Sequence, residues 1–406
     1  MENLIKSSRN LLKSVKTKKK RYLYAEIDFS QKMISIIGQR GVGKTTMLLQ
    51  YLNERKNKDK QIYISLDDVF FLENSLKKTV ETLYYDYGIR VFCIDEVHKY
   101  KNWNQELKNV YDLLPGVKIL FSGSSSLDII HGAYDLSRRV MAYNLYGLSF
   151  REFLEFKTNK SFNKIKLADL LKKYQRYSVR LSSEINILKL FSEYLEYGYY
   201  PYFLEGAGQA FEAKLKNVLD KTIYEDIASL NNIKTENIYI FKRIMNFLAS
   251  VPPGKININK LASALGIAFE TAELYVDIMY KIALIRYLLK DKKGYKLIRR
   301  SEKVFLDNTN LAIYWGNKLG LKKNIGMLRE LFIVNQMQNI NEPIFATEKK
   351  GDFFIKLNKK RYTFEIGGKS KDFRQILKIK NSFLVIDDIE IAGKGKIPLY
   401  LFGFLY

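Results

Sequence analysis

The sequence predicts an α/β fold class with a parallel sheet, and two observations carry that prediction. In roughly the first 150 of the 406 residues, four short apolar runs alternate with helical patterns. Near-continuous apolar strands separated by helices are typical of a parallel sheet covered on both faces. Beyond this region the apolar periodicity is helical, and the chain ends in β-type alternation. A chain of this length is expected to form roughly two to four domains.

The predicted sheet has four strands that the apolar runs place directly. Between them lie amphipathic stretches with helical periodicity, such as Thr45–Leu52 and Trp103–Leu114. The strands are expected at Met33–Ile37, Ile62–Leu66, Val91–Ile94 and Lys118–Phe121.

The composition is strongly basic, with 68 Lys and Arg against 43 Asp and Glu, a net charge of +25 and a pI of about 9.6. Such a chain is attracted to polyanions such as nucleic acid or acidic membrane surfaces, although a general compositional bias explains the charge equally well. The one cysteine, Cys93, excludes an internal disulfide, and with only two histidines a zinc centre is not expected. No run approaches the roughly 18 apolar residues of a membrane span, so we expect a cytoplasmic protein.

Residues 1–30 precede the first strand and are rich in lysine and arginine, with Glu2 the only acid among the first 22 residues. The spacing predicts a basic, helical N-terminal arm. The basic side chains of this arm either contact a phosphate backbone or simply face solvent, and both interpretations are open.

A glycine-rich loop directly follows the first strand and directly precedes a helix. It satisfies the pattern G-x-x-x-x-G-K-[ST], in which backbone N–H groups surround phosphates. Lys44 is expected to neutralise the β- and γ-phosphates, and Thr45 to ligate Mg²⁺. The predicted ATP-binding residues are Gly38, Gln39, Arg40, Gly41, Val42, Gly43, Lys44, Thr45 and Thr46.

A buried strand ends in two adjacent acids, Asp95 and Glu96. The first acid, at the carboxyl end of the strand, is expected to face the metal of the neighbouring loop. The second is placed to polarise an attacking water. Kinases and small GTPases typically lack this adjacent glutamate, so the pair favours hydrolysis of ATP.

Two further sites are candidates for a role at the γ-phosphate. The strand end Phe121–Ser126 offers Ser122 or Ser124 as a polar sensor of the phosphate, while a turn or a helix cap accounts for these serines equally well. Arg138 and Arg139 precede a strand, and one of them is a candidate to act on the nucleotide of a neighbouring copy. A solvated basic pair is the alternative.

Several motifs together resemble a large prokaryotic AAA+ family. In that family an ATPase core is followed by a helical lid, a winged helix and a C-terminal domain that resembles restriction-endonuclease folds. The similarity spans nearly the whole chain, and IDEVHKYKNW and GLSFREFL are its most specific parts. The matching stretches are GQRGVGKTT at 38–46, YISLDD at 63–68, IDEVHKYKNW at 94–103, FSGSSSLDI at 121–129, LSRRV at 136–140, GLSFREFLE at 147–155, YLEYGYYP at 194–201 and FEIGGKSK at 364–371.

This resemblance implies ATP binding, slow hydrolysis and a nucleotide-linked role for Arg139. Combined with the residue patterns, it predicts five segments. They are the arm at 1–30, the ATPase core at 31–155, the helical lid at 156–250, the winged helix at 251–318 and a small α+β nuclease-like domain at 319–406.

The expected winged helix is visible in the residues themselves. Lys260–Ile267 and Phe269–Leu284 predict two helices around a glycine turn, and residues 287–300 predict a hairpin with basic side chains. The second helix carries Glu270 and Glu273 on one face, where carboxylates repel phosphates. The basic hairpin is therefore the expected contact to a DNA backbone, with a purely protein-binding module as the open alternative.

The C-terminal part allows a geometric prediction. Asn358 and Lys359 form a two-residue turn candidate between two strands, which places Asp352 directly opposite Glu365 with Cβ atoms about 5 Å apart. That pair suits a shared Mg²⁺ and resembles the carboxylates of restriction-type nucleases. However, Gly367 stands where those enzymes carry a lysine.

The sequence thus predicts an ATPase that acts as a conformational switch and engages DNA or a protein partner through its C-terminal domains. An ATP-licensed, metal-dependent nuclease and a nucleotide-gated scaffold without turnover are the alternatives, and assembly into a homo-oligomer is open.

Overall fold

The computed structural model describes residues 1–15, 19–123, 136, 138–227, 233, 235–251, 258–289, 301–347 and 350–406. The chain forms two compact units, Met1–Gly147 and Leu148–Tyr406. In the described residues, no helix is both long and apolar enough to span a bilayer.

The first unit is an α/β structure around a five-stranded, entirely parallel sheet with the order β2-β3-β4-β1-β5. Its strands are β1 Met33–Ile37, β2 Gln61–Ser65, β3 Val91–Asp95, β4 Lys118–Gly123 and β5 Met141–Asn144. Its helices are α1 Glu2–Ser14, α2 Lys44–Glu54, α3 Leu76–Tyr85 and α4 Trp103–Leu113.

The sheet forms where the sequence predicts apolar strands, because these strands are buried along almost their whole length. One hydrophobic core joins the sheet to helices α3 and α4, through side chains such as Phe92, Ile119, Val80 and Leu107. Strand β4 lies between β1 and β3, so the carboxyl ends of these three strands meet at one edge. That edge carries the predicted nucleotide site.

The N-terminal segment forms the expected helix, α1, and this helix packs on the first unit. Ser8 is 3% exposed, and its Oγ accepts a hydrogen bond from the backbone N–H of Tyr63 at 2.9 Å. Strand β2 is an edge strand, so the serine satisfies a backbone donor that has no neighbouring strand on that side. The cations Lys6, Arg9 and Lys13 lie on the exposed side of the helix.

The second unit begins with helices, as the periodicity predicts, and ends in a mixed sheet. A capping box between Ser149 and Glu152 starts the first of these helices. The helices are α5 Phe150–Thr158, α6 Leu167–Glu184, α7 Ile187–Glu193, α8 Gln209–Lys221, α9 Ile238–Ser250, α10 Ile258–Leu265, α11 Phe269–Lys281, α12 Thr309–Lys318 and α13 Ile325–Asn339.

The sheet of the second unit has seven strands in the order β12-β11-β10-β9-β8-β6-β7. They are β6 Ile285–Leu289, β7 Ser301–Leu306, β8 Ile344–Ala346, β9 Phe353–Leu357, β10 Lys360–Gly367, β11 Ser382–Ile386 and β12 Lys396–Pro398.

The segment predicted to be a winged helix contains the expected local elements. Helices α10 and α11 flank Gly266, whose φ of 68° suits the predicted glycine turn, and β6 pairs with β7 in antiparallel fashion. These two strands continue the C-terminal sheet through β8, a connection that local sequence patterns do not reveal. The basic residues of the predicted wing, 290–300, lie outside the described residues, so the wing and the bounds of the five segments stay predictions.

Candidate nucleotide site

The glycine-rich loop follows β1 and leads directly into α2, as predicted. Gly41 and Gly43 have φ values of 80° and 99°, which side chains rarely tolerate. Lys44 is the first residue of α2 and is 5% exposed. The N–H groups at the N-terminus of α2 therefore point towards the concave side of the loop, which is the arrangement that binds phosphate.

Gly38 is required for a separate reason, the close approach of strand β5. A Cβ atom at this position would lie 2.2 Å from the backbone oxygen of Leu145 and 3.2 Å from its carbonyl carbon. The Leu145 N–H donates to Ile37 O at 2.7 Å and holds the two backbones together. Only a residue without a side chain fits at the start of the loop.

The ammonium group of Lys44 donates to two carbonyls of the loop, Gly38 O at 2.9 Å and Gln39 O at 2.8 Å. These bonds hold the side chain along the inside of the loop. Phosphate oxygens are stronger, charged acceptors, so a bound triphosphate would replace one or both carbonyls. The lysine is thus prepositioned for the β- and γ-phosphates.

Asp95 lies at the carboxyl end of β3 and is 2% exposed. Its Oδ2 accepts from Thr45 Oγ1 at 2.5 Å and from Tyr63 Oη at 2.8 Å, and Ser122 Oγ donates to its Oδ1. Burial, followed by the charge of Asp95, raises the pKa of Tyr63, so the phenol stays a donor. Three hydroxyl donors compensate this buried carboxylate for lost hydration.

The two predicted metal ligands, Thr45 and Asp95, are therefore in direct contact. A hydroxyl and a carboxylate oxygen are the hard donors that Mg²⁺ prefers, and this ion normally takes its remaining ligands from phosphates and water. The pair fits such an ion. Among the residues that the structure describes, no cluster of three or more His, Cys, Asp or Glu side chains provides a metal site made by protein alone.

Glu96 adopts a left-handed backbone conformation, with φ at 54°. Its Oε2 lies 3.4 Å from His98 Nε2 and 4.0 Å from a terminal nitrogen of Arg40, a residue of the glycine-rich loop. Oε2 nevertheless makes no hydrogen bond within the described part of the chain: the separation from Arg40 is too long, and at His98 the geometry is unfavourable. Positive φ at a non-glycine residue is costly and is found often at functional sites.

Sequence reasoning missed Arg21, which it assigned to the basic arm. Its side chain is only 5% exposed, and it donates to the carbonyls of Val42, Tyr146 and Gly147, the last two at 2.7 and 2.9 Å. It thereby ties the glycine-rich loop to the segment after β5. No local signal separates this arginine from the lysines before it.

The other predicted catalytic residues divide into two cases. Arg139 forms a two-bond ion pair with Asp112 of α4, at 2.8 and 2.9 Å, and its nucleotide-linked role stays a prediction. Ser124 lies outside the described residues. Ser122, the alternative, is fully buried against Asp95.

In the second unit the predicted hairpin register is confirmed. Asn358 and Lys359 form the turn, and the ladder runs from the pair Lys360 and Leu357 to the pair Phe364 and Phe353. Beyond it the Asp352 N–H donates to Phe364 O at 2.8 Å, and Asp352 Oδ2 accepts from the Ile366 N–H at 2.8 Å, so the opposite placement of Asp352 and Glu365 stays a prediction. The carboxylate of Glu365 is bound by Lys371, from the loop after β10, and burial raises the pKa of Glu365.

Lys303 occupies the space between the remaining acids of this region. Its ammonium lies 2.5 Å from Glu330 and 3.9 Å from Asp352. Burial also raises the pKa of Glu330. Two lysines thus neutralise the carboxylates, and the second metal site at Asp352 and Glu365 stays a prediction.

Comparison with known families locates an AAA domain at residues 30–154 and a domain of unknown function (DUF8612) at residues 188–321. An uncharacterized protein of Methanocaldococcus jannaschii is 25% identical over 93% of this chain and 85% of its own length. An uncharacterized protein of Haemophilus influenzae is 23% identical over 88% of each chain.

Two solved structures show weaker likeness. One, described as the structural basis for katanin self-assembly, is 17% identical and matches 46% of this chain and 66% of its own length, with a TM-score of 0.25. The AMPPCP-bound DnaA of Aquifex aeolicus is 16% identical over 68% of this chain and 88% of its own, also with a TM-score of 0.25. The match over residues 30–154, together with the parallel sheet, assigns an AAA-type domain to the first unit and supports nucleotide-dependent ATPase activity.

Proposed function

From an AAA-type domain with a complete glycine-rich loop, we propose that the chain binds and hydrolyses Mg-ATP and works as a conformational switch. The observation that carries the proposal is the contact of Thr45 with Asp95, next to Lys44 at the start of α2. It joins the loop after β1 to the acid at the end of β3. These are the two elements that a hydrolysing P-loop site requires.

Each residue has a distinct task in this proposal. Residues Gly38–Thr46 surround the phosphates, and Lys44 neutralises the charge that develops on the β- and γ-oxygens. Thr45 and Asp95 hold Mg²⁺, which when bound neutralises phosphate charge and orients the triphosphate. Glu96 accepts a proton from the attacking water. Ser124 as the phosphate sensor and Arg139 as a residue acting on a second copy complete the proposed set.

Replacing Glu96 by glutamine tests the assignment. The amide keeps the size of the side chain but cannot accept the proton, so turnover should fall by about 10²- to 10⁴-fold while ATP binding is retained. Phosphate release gives the rate, and fluorescence of a labelled ATP analogue gives the affinity.

Glu81→Gln is the matched control, because Glu81 pairs with Lys77 on the partly exposed surface of α3. Its turnover should equal that of the unmodified chain. Equal rates for Glu96→Gln and Glu81→Gln would remove Glu96 from the mechanism. A chain that binds ATP without measurable turnover would instead be the nucleotide-gated scaffold.

The switch is proposed to act on DNA or on a protein partner through the second unit, in the cytoplasm, as a monomer or a homo-oligomer. ATPase rates with and without DNA, in the unmodified chain and in Glu96→Gln, test the coupling. An ATPase rate that changes with DNA and requires Glu96 would support coupling to DNA. An ATPase rate that DNA does not change would favour a protein partner.

The nuclease alternative is favoured by one observation, the confirmed hairpin of β9 and β10, which brings Asp352, directly before β9, near the end of β10 that carries Glu365. Gly367 leaves the usual lysine position empty, but Lys371 brings an ammonium group to Glu365 from further along the chain. Metal-dependent nicking of plasmid DNA that is lost in Asp352→Ala would establish this activity. Intact plasmid after incubation with Mg²⁺ or Mn²⁺ would exclude it.

A further inference from the structure

The hairpin formed by β9 and β10 ends in a turn that is unusual in its residues. Asn358 and Lys359 both have positive φ, at 50° and 63°. Two-residue turns of this kind strongly favour glycine at the second position, because glycine adopts positive φ without cost. Here the strained position carries an exposed lysine instead. The turn thus carries a cation at its tip, although glycine at the same position would make the turn more stable.

Further along the hairpin, cations again occupy positions where they destabilise the local structure. Lys356 and Arg361 lie directly opposite each other in the ladder, and both are exposed. Like charges in opposite positions destabilise a strand pair. The Arg361 guanidinium lies 3.6 Å from the centre of the Phe354 ring, which fixes its position by a cation–π contact.

The neighbouring strand adds charge of the same sign. Thr363 N–H donates to Asn381 O at 3.0 Å, and β11 runs parallel to β10 from this point. The loop just before β11 therefore lies next to the exposed end of β10, and it carries the exposed Lys378 and Lys380. The sequence has no acid between residues 353 and 364 or between 373 and 386. We call these six side chains the cationic hairpin: Lys356, Lys359, Lys360, Arg361, Lys378 and Lys380.

We propose that the cationic hairpin binds the phosphate backbone of nucleic acid. Adjacent strands are about 4.8 Å apart, so cations on β9, β10 and the loop before β11 form a surface that can contact several phosphates. Lysine and arginine contacts of this kind set affinity and orientation without reading bases. The binding is therefore independent of sequence.

The proposal deepens the suggested coupling to DNA and names its contact surface. It does not depend on ATP turnover, because binding can be measured without nucleotide.

Fluorescence anisotropy with a labelled DNA duplex of about 25 base pairs tests the proposal on the full chain, over a series of salt concentrations. The variant replaces Lys356, Lys359, Lys360 and Arg361 by glutamine. The matched control replaces three lysines and one arginine that are also exposed in the same unit: Lys172, Arg176, Lys216 and Lys322. Both variants lose the same net charge, so only the place of the charge differs.

The hairpin variant should bind about 10- to 100-fold more weakly at low salt, and the slope of log affinity against log salt should become shallower by about 0.9 for each lost phosphate contact. The control should stay within about threefold of the unmodified chain. Lys378→Gln with Lys380→Gln, on the adjacent loop, should weaken binding by a smaller factor in the same direction.

Equal weakening by the hairpin and control variants would show that net charge alone attracts DNA, and it would overturn the proposal. Unchanged binding by the hairpin variant would overturn it as well. Competition by polyglutamate as effective as that by unlabelled DNA of equal charge would assign the surface to an acidic protein instead. Urea denaturation of each variant excludes unfolding as the cause, and the adjacent-loop variant provides the test if the first does not fold.

Discussion

Replacing Gly38 by alanine changes the nucleotide site with the smallest possible side chain. The added Cβ would lie 2.2 Å from Leu145 O, whereas such contacts are essentially never shorter than 3.0 Å. The obstacle is backbone, so no side-chain rotation relieves it. The loop and β5 must separate by about 1 Å, which strains the bond from Leu145 N–H to Ile37 O.

The size of the effect follows from that displacement. Overpacking of this kind costs about 1–3 kcal/mol of stability. A shift of about 1 Å in groups that position a substrate reduces turnover by about 100-fold. We therefore expect the Gly38→Ala variant to fold with a lowered melting temperature and a reduced turnover. It should also lose most of its ATP affinity, because the displaced loop is the part of the site that surrounds the phosphates.

Thermal unfolding with and without Mg-ATP measures both effects in one assay. A ligand at 100 times its dissociation constant stabilises a protein by about 2.7 kcal/mol, so the unmodified chain should melt at a higher temperature with Mg-ATP. The variant should show little of this shift. Gly316→Ala is the matched control, because a Cβ at this position in α12 has no heavy atom within 4 Å.

Alanine is the better helix former, so Gly316→Ala should raise stability by up to about 1 kcal/mol and keep the Mg-ATP shift. The two substitutions thus have opposite expected signs. If Gly38→Ala keeps both its melting temperature and its Mg-ATP shift, the close approach of β5 to the loop does not constrain the nucleotide site.

Three further predictions follow from individual contacts. Arg21→Met should weaken ATP binding and lower stability by several kcal/mol, because three carbonyls lose a charged donor at about 1.5–3 kcal/mol each; unchanged calorimetric affinity would contradict it. Tyr63→Phe should cost about 0.5–1.5 kcal/mol in urea denaturation without abolishing turnover, since Asp95 keeps the hydroxyls of Thr45 and Ser122; complete loss of turnover would refute this. Burial raises the pKa of Glu330 above its ordinary 4.5, so its contribution to stability is present below that pH and is lost as the pH rises through the folded value. Glu330→Gln should therefore gain stability relative to the unmodified chain as the pH rises above about 4.5, and a difference in unfolding free energy that does not change with pH would refute the assignment.

Local patterns predicted a large part of the first unit. Strand β1 has its predicted bounds, and the glycine-rich loop and Asp95 occupy the expected ends of their strands, because each depends on a few consecutive residues. The hairpin register at Asn358 and Lys359 was predictable for the same reason. A two-residue turn leaves one pairing for the strands that flank it.

The parts that sequence reasoning missed depend on contacts between distant residues. Arg21 looks like one more cation of the arm until its three carbonyl partners are known. The joining of β6 and β8 into one sheet brings together residues separated by two helices. Lys371 binds the carboxylate of Glu365 from a position that no fixed motif spacing includes.

Tyr63 gives the first helix an importance that its surface charge conceals. The backbone of this residue is bound by Ser8, and its phenol is bound to Asp95. A chain shortened by its first 14 residues would expose an edge of the sheet one side chain away from the proposed magnesium ligand. Nucleotide affinity therefore has to be measured on a chain in which this helix is intact.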